Sequence, residues 1–139
     1  MKANAKVIQH PSAAAFELPK DPKFSIAKAW TPTLAATGYV AVVRGFLHHY
    51  STLKPFPLTS GEALFVIQLM DFKWGEDAPF PSYKKLAERM GVSVKMARRH
   101  AQALEIKGYL VRETREAKTN RFDLSKLFAA LEAKLGVGR

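Results

Sequence analysis

The helix start and stop signals between Ser82 and Gly108 constrain this chain more than any other feature. Ser82 is a typical N-cap, and Gly91 can take the left-handed conformation that ends a helix. Ser93 supplies a second N-cap two residues later, and Gly108 supplies a second stop. The segment therefore predicts two short helices joined by a tight three-residue turn, the second helix running over about 94–107.

Apolar and basic side chains separate onto opposite sides of the second helix. At about 100° per residue, Ala97, Ala101 and Leu104 share one side, with His100 at its edge. The small alanines would let the preceding helix, whose inward residues are Tyr83, Leu86, Ala87 and Met90, approach closely. The opposite side is basic and amide-bearing, with Lys95, Arg99 and Gln102, and Arg98 and Met96 flank it.

Two further helices are predicted before this pair. Apolar residues at helical spacing run from Gly38 to Leu53, although 39–43 alone would also suit a short strand. Prolines at 55 and 57 end this element. Thr59 opens the next helix with a capping box to Glu62, and the residues that follow it are apolar nearly all round, which is typical of a helix in the centre of a domain.

A β-hairpin and a last helix are predicted after Gly108. Residues 109–112 and 121–124 have strand character and flank a charged, turn-prone connection, so the wing-like hairpin spans 109–124. Ser125 is predicted to cap a helix over 125–135, with Leu127, Phe128, Leu131 and Leu135 on one face. We expect one domain over 38–135.

The first 37 residues show neither a helical nor a strand period and contain four prolines. An irregular or extended arm over 1–37 is the prediction. Its apolar residues, Trp30 among them, leave open whether the arm packs on the domain, meets a second subunit or lies on DNA.

Positive charge is concentrated in one block of the chain. The formal net charge is +10, and residues 82–121 hold eleven Lys/Arg against four Asp/Glu, a net +7. Such a block favours a polyanionic partner, because neutralising phosphates releases condensed counterions.

Other functional classes lack their signatures. Without cysteine the chain has no thiolate metal site or cysteine nucleophile, and its four histidines are scattered, so no metal or cofactor is expected. Phosphate-cradling and hydrolase motifs are missing, so we do not expect an enzyme. No apolar run reaches the ~20 residues of a membrane span, and we expect a cytoplasmic, nucleoid-associated protein without an evident small-molecule effector.

A known family shares the pattern of the basic block. The strings Leu86-Ala87-Glu88, Met90-Gly91-Val92-Ser93, Leu104-Glu105 and Lys107-Gly108-Tyr109-Leu110, followed by a TNRFDL hairpin return, resemble bacterial and phage winged helix-turn-helix proteins. The pattern is also similar to the helix-turn-helix domains of plasmid replication initiators. The resemblance covers Thr59–Leu124 and implies a mainly α fold with a small β-hairpin (α+β).

The resemblance implies double-stranded DNA as the partner and a role for three groups of residues. The recognition helix would contact bases through Ser93, Lys95, Met96, Arg98, Arg99 and Gln102. The start of the preceding helix would contact phosphates through Ser82, Lys84 and Lys85. The wing would use Arg115, Lys118, Thr119, Asn120 and Arg121, although Glu113 and Glu116 depart from an all-basic wing.

Three functions are compatible with these residues. The leading hypothesis is a DNA-binding regulator of transcription. A replication-initiation or plasmid-maintenance protein could use the same domain, and a winged-helix adaptor could bind a protein instead. A homodimer is a further option, through the stripe of the last helix or through the arm around Trp30.

Overall fold

The computed structural model describes residues 25–73 and 78–136. The chain divides into two compact units, with the boundary near residue 41. In the first unit the described residues are 25–41, and in the second they are 42–73 and 78–136. The predicted boundary at residue 37 stays a prediction.

The described part of the first unit contains two single-turn helices, α1 (Ile26–Ala29) and α2 (Pro32–Ala35). Ser25 caps α1, and Thr31 caps α2 by accepting from the Leu34 N–H at 3.1 Å. Proline at the first helical position has its backbone angle already set for a helix. The predicted irregular or extended chain is therefore corrected over 26–35. Residues 1–24 of the predicted arm lie outside the described residues.

The second unit begins with α3 (Arg44–His49) and a 3-10 turn (Tyr50–Thr52). The predicted helix over 38–53 is therefore too long, since the chain is neither helical nor in a strand over 38–43. Gly38 has a φ of +94°, which interrupts a helical path. Phe46 and Leu53 are buried in the core.

The central helix is α4 (Ser60–Met70), and the predicted capping box is confirmed. The Glu62 backbone N–H donates to Thr59 Oγ1 at 3.2 Å, and the Thr59 N–H donates to Glu62 Oε1 at 3.0 Å. Phe65 and Leu69 are fully buried, as expected for a helix surrounded by other elements.

The next two helices, α5 (Tyr83–Met90) and α6 (Val94–Ile106), begin and end at the predicted signals. Gly91 takes the left-handed conformation with a φ of +71°, so it ends α5 without a Cβ clash. The helices α4, α5 and α6 pack on one another. This arrangement leaves one side of α6 facing away from the core.

The hairpin pairs β1 (Val111–Glu113) with β2 (Arg121–Asp123) in antiparallel register, with Arg112 opposite Phe122. The strand predicted to start at residue 109 starts two residues later. Tyr109 and Leu110 are buried in the core instead, and the Tyr109 hydroxyl donates to the Phe56 carbonyl at 2.5 Å. Successive side chains of a strand point to opposite faces, so two consecutive buried side chains do not fit a strand at this position.

The last helix is α7 (Ser125–Lys134), which packs on α3. Ser125 is its first residue and not its N-cap, which corrects the prediction. Asp123 Oδ1 accepts from the Ser125 N–H at 2.9 Å and also from the Ser125 hydroxyl. These hydrogen bonds, the hydroxyl one first, lower the pKa of Asp123 below its ordinary value of 3.8.

Only part of the apolar stripe of α7 closes the core. Leu127 and Leu131 are buried, Phe128 is half-buried, and Leu135 lies just past the helix end with half of its surface exposed. The core thus joins residues from every helix of the second unit and from β2, namely Phe46, Phe65, Leu86, Leu104, Phe122 and Leu127.

Candidate nucleic-acid interface

The two sides of α6 divide as predicted. Ala97, Ala101 and Leu104 have no exposed surface, so the inward side is confirmed. The outward side chains are all exposed: Lys95, Met96, Arg98, Arg99 and Gln102. Among the described residues, none pairs with the side chains of Lys95, Arg99 or Gln102 through a hydrogen bond or a salt bridge. These groups are free to bind a ligand.

Close packing holds α6 against α4. The His100 ring lies against Gly61, where an added Cβ would come within 2.6 Å of His100 Cε1. The same ring tilts against Phe65, with 6.3 Å between centroids. A side chain at position 61 would therefore require the His100 ring to move.

A buried ion pair fixes the end of α6. Lys107 Nζ donates to Glu62 Oε1 at 2.5 Å and to the Pro57 carbonyl at 2.8 Å. The Glu62 side chain is only 7% exposed, and this partner and the Thr59 N–H both donate to its carboxylate. Sequence reasoning missed the pair, since 45 residues separate its members.

The hydroxyl oxygens of both cap serines accept hydrogen bonds from the helices that they begin. Ser82 Oγ accepts from the Lys85 N–H and Ser93 Oγ accepts from the Met96 N–H, each at 3.0 Å. The neighbouring Lys84 and Lys85 side chains are exposed. Ser82 and Ser93 position their helices, and the lysines are the free groups at the start of α5.

The wing loop is braced by Arg115. Its Nε donates to the Thr119 carbonyl at 2.7 Å, and its guanidinium lies 4.7 Å from the centre of the Phe80 ring. The Thr119 hydroxyl donates to the Phe80 carbonyl, and the Phe122 N–H donates to the Pro79 carbonyl at 2.8 Å. Arg115 and Thr119 therefore tie the wing to the chain before α5.

The other predicted wing residues differ in exposure. Lys118 is exposed, and Asn120 is half-buried. Arg121 is half-buried, and its Nε atom is buried without a hydrogen-bond partner among the described residues. Lys118 is thus the wing cation with its charged group most open to a ligand.

Tyr83 connects α5 to α6 and to the wing. The Arg98 guanidinium carbon lies 5.3 Å from the centre of the Tyr83 ring, and Arg112 Nη1 donates to the Tyr83 hydroxyl at 3.0 Å. Arg112 Nε is also 3.3 Å from Glu105 Oε2. The hydrogen bond to Tyr83 is the largest cause of a raised pKa of Arg112. Sequence reasoning placed Tyr83 only on the inward stripe.

A cleft of about 490 Å³ lies between the start of α5, the first turns of α6 and the wing. It brings together six of the predicted residues: Ser82, Lys84, Arg98, Lys118, Thr119 and Asn120. Tyr83 and Arg112 line it as well. No carboxylate among the described residues lines this cleft. The other predicted contacts do not line it; they are Lys85, Ser93, Lys95, Met96, Arg99, Gln102, Arg115 and Arg121.

In the part of the chain that the structure describes, no three acidic or histidine side chains are grouped so as to hold a metal ion. None of the described helices combines the length and apolar character needed to cross a membrane.

The comparison with protein families agrees with this geometry. A family model described as a helix-turn-helix domain matches residues 58–110, which contain α4, α5 and α6. No curated protein matches the chain. Helix-turn-helix domains characteristically bind DNA. Residues 58–110 match the helix-turn-helix domain family, and the hairpin that follows makes the fold a winged helix-turn-helix.

Proposed function

We propose that this protein is a sequence-specific DNA-binding regulator of transcription that reads the major groove with α6. The observation that carries the proposal is the division of this helix. Its inner side is formed by the buried Ala97, Ala101 and Leu104, and its outer side presents cationic and amide groups that no described residue pairs with. A helix held rigidly by one side can insert the other into a groove.

The chemistry of the outer side fits base edges. Lysine and arginine donate to the O6 and N7 acceptors of guanine, and glutamine can pair with the N6 and N7 of adenine. Lys95, Arg99 and Gln102 supply these donors along the exposed side of α6. Met96, 37% exposed, adds an apolar surface that could contact a thymine methyl group.

Backbone contacts would come from the flanking elements. Lys84 and Lys85 are exposed at the start of α5, and Lys118 is exposed in the wing loop. Contacts of this kind fix the register of the protein on the duplex without reading sequence. The excess of seven positive charges over residues 82–121 supports such a footprint.

Selection from a pool of random duplexes with the full chain, followed by sequencing, tests the proposal. We expect an enriched motif, and a palindromic motif would indicate two copies of the chain on one site. Sites at promoters support transcriptional regulation, whereas sites at a replication origin would assign the protein to replication initiation. No binding to any duplex at low salt would instead favour the protein adaptor.

Substitutions then locate the reading surface. Lys95→Ala and Arg99→Ala should each weaken binding to the enriched duplex by about 1–3 kcal/mol, measured by gel-shift titration. Lys126→Ala is the matched control, because Lys126 is exposed on α7 and lies outside the predicted interface. Unchanged affinity in both α6 variants would remove this helix from recognition.

A further inference from the structure

We propose that the cleft between the wing and the start of α5 holds one phosphodiester group of the DNA backbone, and that Tyr83 positions the groups that bind it. The inference rests on the proposed function and deepens it. It assigns one phosphate to residues from three separate elements, namely Lys84 of α5, Arg98 of α6 and Lys118 of the wing loop.

The lining of the cleft selects for an anion. Four cationic side chains border it, from Lys84, Arg98, Arg112 and Lys118, and no carboxylate among the described residues does. Glu105 pairs with Arg112, which leaves the other three without a carboxylate partner in the described part of the chain. Like charges around one cleft repel each other, and an entering anion relieves that repulsion.

Backbone donors add to the cations at one wall. The Ser82 hydroxyl caps the Lys85 N–H, and the Ser82 carbonyl accepts from the Leu86 N–H. The N–H groups of Tyr83 and Lys84 precede the first intrahelical bond, and both residues line the cleft. Free N–H groups of a helix start favour an anion, and here they accompany the cationic side chains.

Tyr83 acts as a positioning residue in this arrangement. Its ring lies under the Arg98 guanidinium, and its hydroxyl accepts from Arg112 Nη1. The ring itself is held edge-on against the buried Phe122, with 5.7 Å between centroids. A fixed guanidinium loses less conformational freedom when it binds, which favours affinity.

Sharing one phosphate has a measurable consequence. The logarithm of the DNA-binding constant falls with the logarithm of salt concentration by about 0.9 for each phosphate neutralised. If Lys84, Arg98 and Lys118 contact the same phosphate, removing all three should reduce this slope by about 0.9. If they contact separate phosphates, the reduction should be about 2.7.

The experiment measures salt slopes on one duplex with the full chain. Its variants are Lys84→Gln, Arg98→Gln, Lys118→Gln and the triple variant. The control combines Lys54→Gln, Lys126→Gln and Lys134→Gln, which removes three charges from exposed lysines that do not line the cleft. We expect the triple variant to lose roughly tenfold in affinity and about 0.9 in slope, with each single variant losing less. The control accounts for the effect of net charge alone. A reduction of about 2.7, or none beyond the control, overturns the shared phosphate.

Tyr83 variants test its positioning role. Tyr83→Phe keeps the ring under Arg98, whereas Tyr83→Leu removes both the ring and the hydroxyl. We expect Tyr83→Leu to lower the affinity and Tyr83→Phe to retain most of it, in proteins whose thermal melts confirm folding. Equal affinity of Tyr83→Leu and the unsubstituted protein would remove Tyr83 from the site.

The anion in the cleft could come from free phosphate or from the DNA backbone. Titration of inorganic phosphate into the full chain, followed by amide NMR shifts, distinguishes these two sources. Duplex binding with an unaltered salt slope in the triple variant overturns the cleft site but leaves DNA binding by α6 intact. Phosphate shifts at the cleft without any duplex binding would overturn both the proposed function and the backbone as the source. Shifts at the cleft that a bound duplex suppresses support the proposal.

Discussion

The exposed side of α6 and the wing carry similar numbers of cations but use them differently. Among the described residues, the side chains of Lys95 and Arg99 of α6 have no partner, whereas the guanidinium of Arg115 in the wing contacts Thr119 and Phe80. The backbone hydrogen bonds of a helix form within the helix, and the buried apolar side of α6 packs on the core. A hairpin of three-residue strands is marginal by itself, so side chains must brace it. Counting charges therefore overstates how many wing cations are available to DNA.

Loss of the ion pair between Lys107 and Glu62 should have the largest effect on stability. Lys107→Met leaves the Glu62 carboxylate, 7% exposed, without its cationic partner. We expect a loss of about 2–4 kcal/mol in the free energy of unfolding, measured by urea denaturation. Lys126→Met, which changes an exposed lysine, should stay within about 0.5 kcal/mol of the unsubstituted protein. Equal midpoints for the two variants would show that α6 does not depend on this pair.

Disturbing the close packing of α6 at Ala97 should have the next largest effect on stability. Ala97→Leu forces a larger side chain into a fully buried position, which should destabilise the fold by about 1–3 kcal/mol. Ala133→Leu on the exposed side of α7 is the matched control. A thermal melt in which Ala97→Leu is as stable as this control would mean that the inner side of α6 has been misplaced.

Removing the contacts of Arg115 should loosen the wing loop with little effect on the stability of the whole fold. Arg115→Ala removes the stacking on Phe80 and the hydrogen bonds to Thr119, and we expect a global loss of no more than about 1 kcal/mol. Amide exchange in the wing loop should accelerate, since the brace is gone. Lys118→Ala, which lacks a side-chain partner among the described residues, should leave that exchange unchanged. Equal exchange in both variants would contradict the contrast between the two regions.

Loss of the hydrogen bond between the Ser125 hydroxyl and Asp123, just after the wing, should have the smallest effect on stability. Asp123 is stabilised in its charged form by Ser125, so its contribution to stability is present above its ordinary pKa of 3.8. That contribution is lost as pH falls through the lowered pKa. Ser125→Ala should move the pKa of Asp123 back toward 3.8, followed by NMR titration, and should cost less than about 1 kcal/mol near neutral pH. An unmoved titration would show that the Ser125 hydroxyl does not act on this carboxylate.

Local signals were sufficient for the helices of the candidate interface. The caps at Thr59, Ser82 and Ser93 and the left-handed Gly91 lie where the pattern predicts. Predictions failed where a distant contact outweighs the local pattern. Tyr109 has strand character, but its ring is buried and its hydroxyl reaches Phe56, which lies 53 residues earlier.

The separation of α6 into a sealed and an open side follows from the order of its residues alone, because helical geometry assigns each side chain to a face. Which cations remain available was settled only by folding. Arg112 meets Tyr83 across 29 residues, and Lys107 meets Glu62 across 45. Packing of α4, α5 and the hairpin creates those contacts, and no period or cap within a single element encodes them.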